Sequence, residues 1–502
     1  MTSPAILIVG AGPTGLTLAC ELARRGVPFR LVDAAPEPFR GSRGKGTQPR
    51  SLEIFDDLGI AAEVVGAGRF HLPVRFYEAD GSHHDVDLHA GRHARPDAPY
   101  GSTLLVPQWR VEQALRERLR ALGGRVEYGV ALTAFAQDAD AVDATLAHAD
   151  GRAEVQRAAY LVGCDGGRSA TRRLAGIAFH GQTLERHRML VADVGASGLD
   201  REHWHAWRGA GGFVALAPLP GTAQYQFQAA LAPGLDEAPS LALCQRLLEQ
   251  RSGRRDIRLS DPTWMSLWRA NVRMVDRYRA GRVFLAGDAA HVHSPAGGLG
   301  MNTGIQDAYN LGWKLAAVLR GADDALLDTY GEERLPVAEW LLGLSSRLHF
   351  QAFEERGIAV RRDEETLQLG IGYRHGSLAC ELRARPGTLA AGDRAPDAPG
   401  LRDARGEYRL FDLLRGTHVT LLAFGAGWEA LLAALRARCG EAVRSVVIGD
   451  GGLDDAHGHA RAAYGVETGL FVVRPDGYLG LATDAREPAP VEAYLRRLLG
   501  PR

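Results

Sequence analysis

The hexapeptide Gly10-Ala11-Gly12-Pro13-Thr14-Gly15 has the glycine spacing of a phosphate-binding turn, and the chemistry it offers is capture of an anion by bare backbone. Gly10 permits a tight turn, Gly12 lets a pyrophosphate approach the main chain, and Gly15 lets a following helix pack on the preceding strand. Asp33 follows at about the twenty-residue spacing of a carboxylate that accepts hydrogen bonds from a ribose. Together they describe a site for an ADP-containing dinucleotide. They do not separate FAD from NAD, which share that ribose and pyrophosphate.

The elements that must position these residues are legible on either side. Ala5-Ile6-Leu7-Ile8-Val9 reads as a buried parallel strand, residues 16–22 as the helix after the turn, and Phe29-Arg30-Leu31-Val32 as a second strand ending at Asp33. Two distant stretches have the same strand-then-glycine form. One is Leu161-Val162-Gly163-Cys164-Asp165-Gly166, followed by Arg168-Ser169; the other is Val283-Phe284-Leu285-Ala286-Gly287-Asp288. The latter runs through Ser294-Pro295-Ala296-Gly297-Gly298-Leu299-Gly300-Met301-Asn302 into a long helix, a bend that aims N–H groups and the positive helix end at whatever lies before it.

With these three stretches the chain resembles the class A flavoprotein monooxygenases, the FAD-dependent aromatic-ring hydroxylases, in their longer phenol and polyketide hydroxylase branch. The resemblance runs to about residue 380. It implies an α/β fold in which a Rossmann-like FAD-binding domain, discontinuous over 1–78, 104–177 and 282–385, is interleaved with an antiparallel β-sheet substrate domain over 79–103 and 178–281. The strand order over 392–502 resembles the thioredoxin-like α/β C-terminal domain carried by this branch, here without a CxxC pair. The implied FAD site comprises Gly10, Gly12, Pro13, Thr14, Gly15 and Asp33, with Asp165 and Gly166 near the pyrophosphate and Asp288 on the ribityl-phosphate side. Pro295, Gly298, Gly300, Met301 and Asn302 surround the flavin ring. Arg43 matches an arginine near the pyrophosphate or nicotinamide donor, with a plain surface arginine as the alternative. Gln108 matches a flavin-contacting glutamine. Gln48 and Pro295 are the substrate-side candidates, and for Gln48 a helix-cap or backbone contact is an equal reading.

The resemblance implies that NADPH or NADH reduces FAD, dioxygen forms a flavin C4a-hydroperoxide, and one oxygen passes to a phenolic ring, which a polycyclic polyketide could supply. No residue is assigned as catalytic base. Baeyer–Villiger insertion or epoxidation on the same scaffold is one alternative, and a non-catalytic protein that binds flavin and an aromatic intermediate is another. A homodimer is a habit of the family.

At 502 residues the chain exceeds a single core of ordinary size, and 46% hydrophobic content is that of a soluble globular protein. A net charge of −1 gives no footprint for nucleic acid or an anionic membrane. No targeting segment precedes the first strand and no apolar run nears the ~20 residues of a membrane span, so a cytoplasmic address is expected. The five cysteines have no paired spacing, and no metal is assigned; His83, His84, His89 and His93 read as a solvated hairpin and loop. Alternation over 222–228, after Phe213-Val214-Ala215-Leu216 and the Pro220-Gly221 turn, marks a hairpin with one covered face. In the C-terminal region strands are expected at 419–424, 444–448 and 469–478, with a helix at 428–438. With Cys439 as its one cysteine, that region is expected to be redox-inert.

Overall fold

Parallel strands place their carboxyl ends along one edge of a sheet, and this gathers the three glycine stretches. In the computed structural model, residues 5–501 are described apart from 210, 232–233, 235–236, 295–296 and 352–363. The chain opens with β1 (Ile6–Val9), α1 (Pro13–Arg24) and β2 (Phe29–Asp33), continues through α2 (Pro49–Leu58), α3 (Gln108–Ala121) and β3 (Val126–Tyr128), and returns at β4 (Tyr160–Gly163). Antiparallel strands β5 (Phe179–Ser197), β6 (Gln224–Leu231) and β7 (Arg258–Val275) precede β8 (Val283–Leu285), α4 (Gly300–Val318) and α5 (Asp328–Gln351).

The first sheet runs in the order Arg279–Ala280, β8, β4, β1, β2, β3, and its last five strands are mutually parallel. β1 is apolar and fully buried, as a strand covered on both faces must be. It lies where the winding reverses, with β2 on one side and β4 on the other. Loops leaving such a point splay apart and open a crevice outside the carboxyl edge.

The second sheet has eight strands, from His291–Val292 through β7, β5, β6, Gly212–Pro218, Trp204–Gly209 and Val74–Tyr77 to His83–Val86. Leu190, Ala192, Val194 and Phe227 on one face pack under the helix Leu241–Ser252. Met189, Val191 and Ala215 lie on the other, with Trp268 against them. The expected boundary at residue 78 falls inside a hairpin: Val74–Tyr77 pairs in parallel with Trp204–Gly209, so the sheet begins at residue 74. The expected hairpin pairs Val214 with Ala229 and Leu216 with Phe227. Its polar face is covered too, because Gln226 lies under the loop that follows β2.

Past α5, β9 (Val419–Phe424), α6 (Glu429–Cys439), β10 (Val443–Ile448), β11 (Gly469–Val473), β12 (Leu479–Thr483) and α7 (Pro488–Leu499) build a third unit. Its sheet order is Cys380–Glu381, β12, β11, β9, β10. The unit therefore takes up Cys380–Glu381 ahead of the expected boundary. The expected strand 469–478 stops at Val473, where Arg474 N–H donates to the Tyr478 carbonyl and Gly477 takes φ +75°. Chain reversal there produces β12, which alternation did not reveal.

Buried ions fasten this unit to α4. Arg474 is paired with Glu333 and Asp476, Lys314 Nζ donates to Glu333 Oε2 at 2.7 Å, and Trp313 Nε1 donates to Asp476 Oδ2 at 3.0 Å. Burial pushes Lys314 down to about 8 against the pull of Glu333. Burial opposes ionisation of Glu333 as well, yet Arg474 and Lys314 hold its carboxyl well below the usual range.

Candidate active site

The turn after β1 works by absence of side chains. Gly10 has φ +104°, and a Cβ there would collide with the Cys164 carbonyl on the turn after β4. A Cβ on Gly15 would strike the Gly10 carbonyl, so α1 could not lie against the turn. Gly12, the residue capping α1 with Pro13 behind it, has nothing within 4 Å of such a Cβ. Space is therefore open in front of the free N–H groups of α1. Thr14 fits against Gly287 and Gly304, bringing the first and third stretches into contact.

Asp33 Oδ2 accepts from Ala11 N at 2.7 Å and Oδ1 from Ala35 N at 2.8 Å. Each oxygen keeps a second lone pair for a ribose hydroxyl. Asp165 serves its own loop, accepting from Ser169 Oγ at 2.5 Å and from Thr171 N and Oγ1 at 3.0 and 3.1 Å. Gly166, at φ +75°, leaves open space at its Cα. The β4 turn thus faces the crevice with backbone while its aspartate shapes it.

At the third turn, Gly287 N donates to Asp307 Oδ2 at 3.0 Å, and Asp307 also receives His291 Nε2 at 2.8 Å and Arg334 Nε at 2.7 Å. Burial works against the Asp307 charge, but Arg334 and His291 hold its carboxyl below the usual range. Asp288, next in chain, is accessible to solvent, and among the described residues no protein donor holds its carboxylate. Its surroundings still desolvate it and push its pKa up, against the charges of His291 and Arg43. That combination places Asp288 in a cleft. Arg43 is exposed and stacks over Phe39, 4.8 Å from the ring centroid.

The bend into α4 is clasped by side-chain amides. Asn302 Nδ2 donates to the carbonyls of Gly46 and Gly298 at 2.9 and 2.8 Å, and its Oδ1 accepts from Gln48 N at 2.8 Å. Gln48 is fully buried; its Nε2 donates to the Gly297 carbonyl at 2.9 Å and its Oε1 accepts from Thr103 Oγ1 at 2.8 Å. Of the two readings of Gln48, the geometry favours the backbone contact over the substrate one. Gln108 Oε1 accepts from Gly44 N at 3.1 Å, and the Met301 sulfur lies beside Gly44. Gly300 opens α4 and abuts His293, whose Nε2 is buried and has no hydrogen-bond partner among the described residues. Pro295 lies outside the described residues.

Several features escaped sequence reading. Asp193 of β5 is buried, receives Ser42 N at 2.7 Å and, among the described residues, has no partner for Oδ1; burial raises it to about 6 despite that hydrogen bond and Lys45. Lys45 Nζ donates to Gln226 Oε1 at 2.7 Å and sits 3.9 Å over the Trp204 ring. These contacts lay the loop after β2 on the second sheet. Their partners are more than a hundred residues apart, so no local pattern announces them.

The cleft suits a flavin dinucleotide: open backbone at Gly12 and Gly166, an unclaimed carboxylate at Asp288, and an orphaned imidazole nitrogen beside the start of α4. The family models agree. The FAD binding domain model matches residues 3–345, and the aromatic-ring hydroxylase C-terminal model matches residues 388–501. The chain belongs to the FAD-binding aromatic-ring hydroxylases. It is 46% identical over 512 residues to a flavin-dependent monooxygenase of Mycobacteroides abscessus, spanning 98% of this chain and 100% of that one. It is 36% identical over 545 residues to 6-methylpretetramide 4-monooxygenase of Streptomyces rimosus, spanning 99% and 93%. Aklavinone-11 hydroxylase, solved with FAD and aklavinone, matches at TM-score 0.84 and 31% identity over 99% of each chain.

Proposed function

We propose that this monooxygenase hydroxylates a phenolic ring of a polycyclic aromatic compound, using NAD(P)H as electron donor and dioxygen as oxidant. The observation that carries the proposal is the second sheet's face opposite its helix. Met189, Val191 and Trp268 give it apolar and aromatic surface, while Gln228 and Ser266 lie on the same side by register with Val191. A flat, electron-rich ring is suited to such a wall. Two relatives act on or bind compounds of this kind by name, 6-methylpretetramide and aklavinone.

FAD, when bound, supplies the transfer of electrons to dioxygen and of one oxygen atom to substrate. The chain's own tasks are to hold, orient and exclude. The N-terminus of α1, with Gly12 and Gly166, would hold the pyrophosphate, Asp33 the adenosine ribose, and Asp288 the hydroxyls of the ribityl side. The N-terminus of α4, with Gly298, Gly300, Met301 and Asn302, would present N–H groups to the ring edge where negative charge collects. The sheet would orient the aromatic ring and keep water from the reacting atoms.

Purified protein is expected to release its yellow chromophore as FAD. A panel of phenols, from one ring to four, is expected to include a member that accelerates NAD(P)H oxidation. Under labelled dioxygen the product should gain one labelled oxygen on the ring. No stimulation by any phenol, or oxygen drawn from water, would overturn the reading.

A further inference from the structure

Two glutamines on one strand of the second sheet have amides whose orientation is settled by their neighbours. Gln226 and Gln228 are two apart on β6, so both side chains stand on the same face. Gln226 Oε1 accepts from Lys45 Nζ at 2.7 Å, and Gln226 Nε2 donates to the Ser42 carbonyl. An ammonium can only donate and a carbonyl can only accept, so the Gln226 amide has one possible orientation. Gln228 Nε2 donates to the same Gln226 oxygen at 2.7 Å, which fills its second lone pair. The Gln228 amide is thereby fixed as well, its nitrogen toward Gln226 and its oxygen away from it.

That oxygen stands among carbon atoms. Gln228 is half-buried, and among the described residues no donor meets its Oε1. Its cross-strand partners are Val191 on β5 and Ala215 on Gly212–Pro218, and Ala230 follows it on the same face of β6. All three belong to the apolar patch that also holds Met189 and Trp268. Packing gives no reason for an acceptor in such a patch, since one that is drawn away from water without a donor is costly. Ser42 and Lys45 belong to the loop whose Gly44 lies beside the Met301 sulfur at the start of α4, so the amide pair borders the flavin cleft.

We propose that Gln228 determines substrate specificity, its Oε1 accepting a hydrogen bond from a ring hydroxyl; the proposal rests on the phenolic reading above. A phenol lying flat on Val191 and Ala215 directs its O–H at this oxygen and supplies the donor that displaced water no longer provides. A methyl ether or a quinone carbonyl at the same point sets lone pair against lone pair and leaves the acceptor without a partner. Turning the amide over is no remedy, because it would bring the Gln228 oxygen against the Gln226 oxygen that Lys45 holds in place. The residue therefore selects a hydroxylated ring over the same ring alkylated or oxidised, and takes no part in the oxygen transfer itself.

The test titrates oxidised FAD holoenzyme at neutral pH with 2-naphthol and with 2-methoxynaphthalene, which share one ring system and differ in the O–H; the change in flavin absorption reports binding. Wild type is expected to bind 2-naphthol about tenfold more tightly than the ether. Gln228→Leu leaves Lys45 as donor to Gln226 Oε1. It should bind 2-naphthol about tenfold more weakly and the ether as before, so that the preference disappears while FAD content and unfolding temperature stay unchanged. Should the leucine variant fail to retain FAD, Gln228→Ala takes its place with the same expectation. A wild type that binds 2-naphthol no more tightly than the ether, or a preference kept by a folded variant, overturns the role of Gln228 alone when a phenol of the panel accelerates NAD(P)H oxidation. If no phenol accelerates it, this inference and the phenolic reading fall together.

Discussion

At Gly10 the obstacle to a larger side chain is protein, and at Gly12 it is whatever lies in front of the helix. Gly10→Ala is expected to cost about 3–5 kcal/mol, since φ +104° and the Cys164 carbonyl both oppose a Cβ. Gly12→Ala should leave stability within about 1 kcal/mol and weaken FAD binding about tenfold or more. Urea unfolding of the apoprotein and FAD titration separate the two. Asp193 offers a signed pH effect. Its folded pKa of about 6 exceeds the ordinary 3.8, so the native state holds the proton longer and stability falls as pH rises through that window. Asp193→Asn keeps an acceptor for Ser42 N–H. It should match wild type below about pH 4 and exceed it by up to about 3 kcal/mol above pH 6, read from unfolding curves across that range. The glycines were legible in sequence because their spacing is local, although the Cys164 carbonyl that confines Gly10 comes from a distant turn. Asp193 was not: nothing near it in the chain foretells that the loop at Ser42 will cover it.

Among the elements, α4 depends most on how its entry is held. Asn302 ties Gly46, Gly298 and Gln48 together, so Asn302→Ala takes the side-chain partner from the Gly46 carbonyl and the Gln48 N–H and leaves the Gly298 carbonyl only the longer bond from Gln48 Nε2. A loss of about 2–4 kcal/mol is expected, with faster FAD release, checked by unfolding and by the rise of free-flavin fluorescence. Parallel strands and the long helix were readable from apolar runs bounded by glycine. Strand membership was harder, as Val74–Tyr77 shows: its pattern says strand, while its assignment to the second sheet comes from a partner at Trp204–Gly209. β12 was missed for a related reason. All five of its residues are buried, so no alternation marks it.

For the molecule as a whole, the C-terminal unit contributes charge to the interior of the flavin domain without any paired cysteines. Arg474 lies between Glu333 of α5 and Asp476, and both carboxylates are fully buried. Arg474→Met would leave two buried anions short of a partner, a change expected to cost about 3–5 kcal/mol. Calorimetry should then show a lower unfolding temperature and weaker retention of FAD than in wild type. That Cys439 is the one cysteine of this unit was readable from the sequence. The ionic clasp that fastens the unit to α4 was not, since Lys314, Glu333 and Arg474 meet only after both units have formed.

The order in which β1, β4 and β8 line up also sets a schedule for biosynthesis. β4 is flanked by β1 and β8, and β8 begins at Val283. At ~10 residues per second, on the order of half a minute separates emergence of the first strand from that of the third. Throughout that interval the nascent polypeptide carries an unpaired strand edge, open to any other growing chain nearby. Flavin capture accordingly waits until synthesis has passed its midpoint, when β8 and the entry to α4 have both emerged.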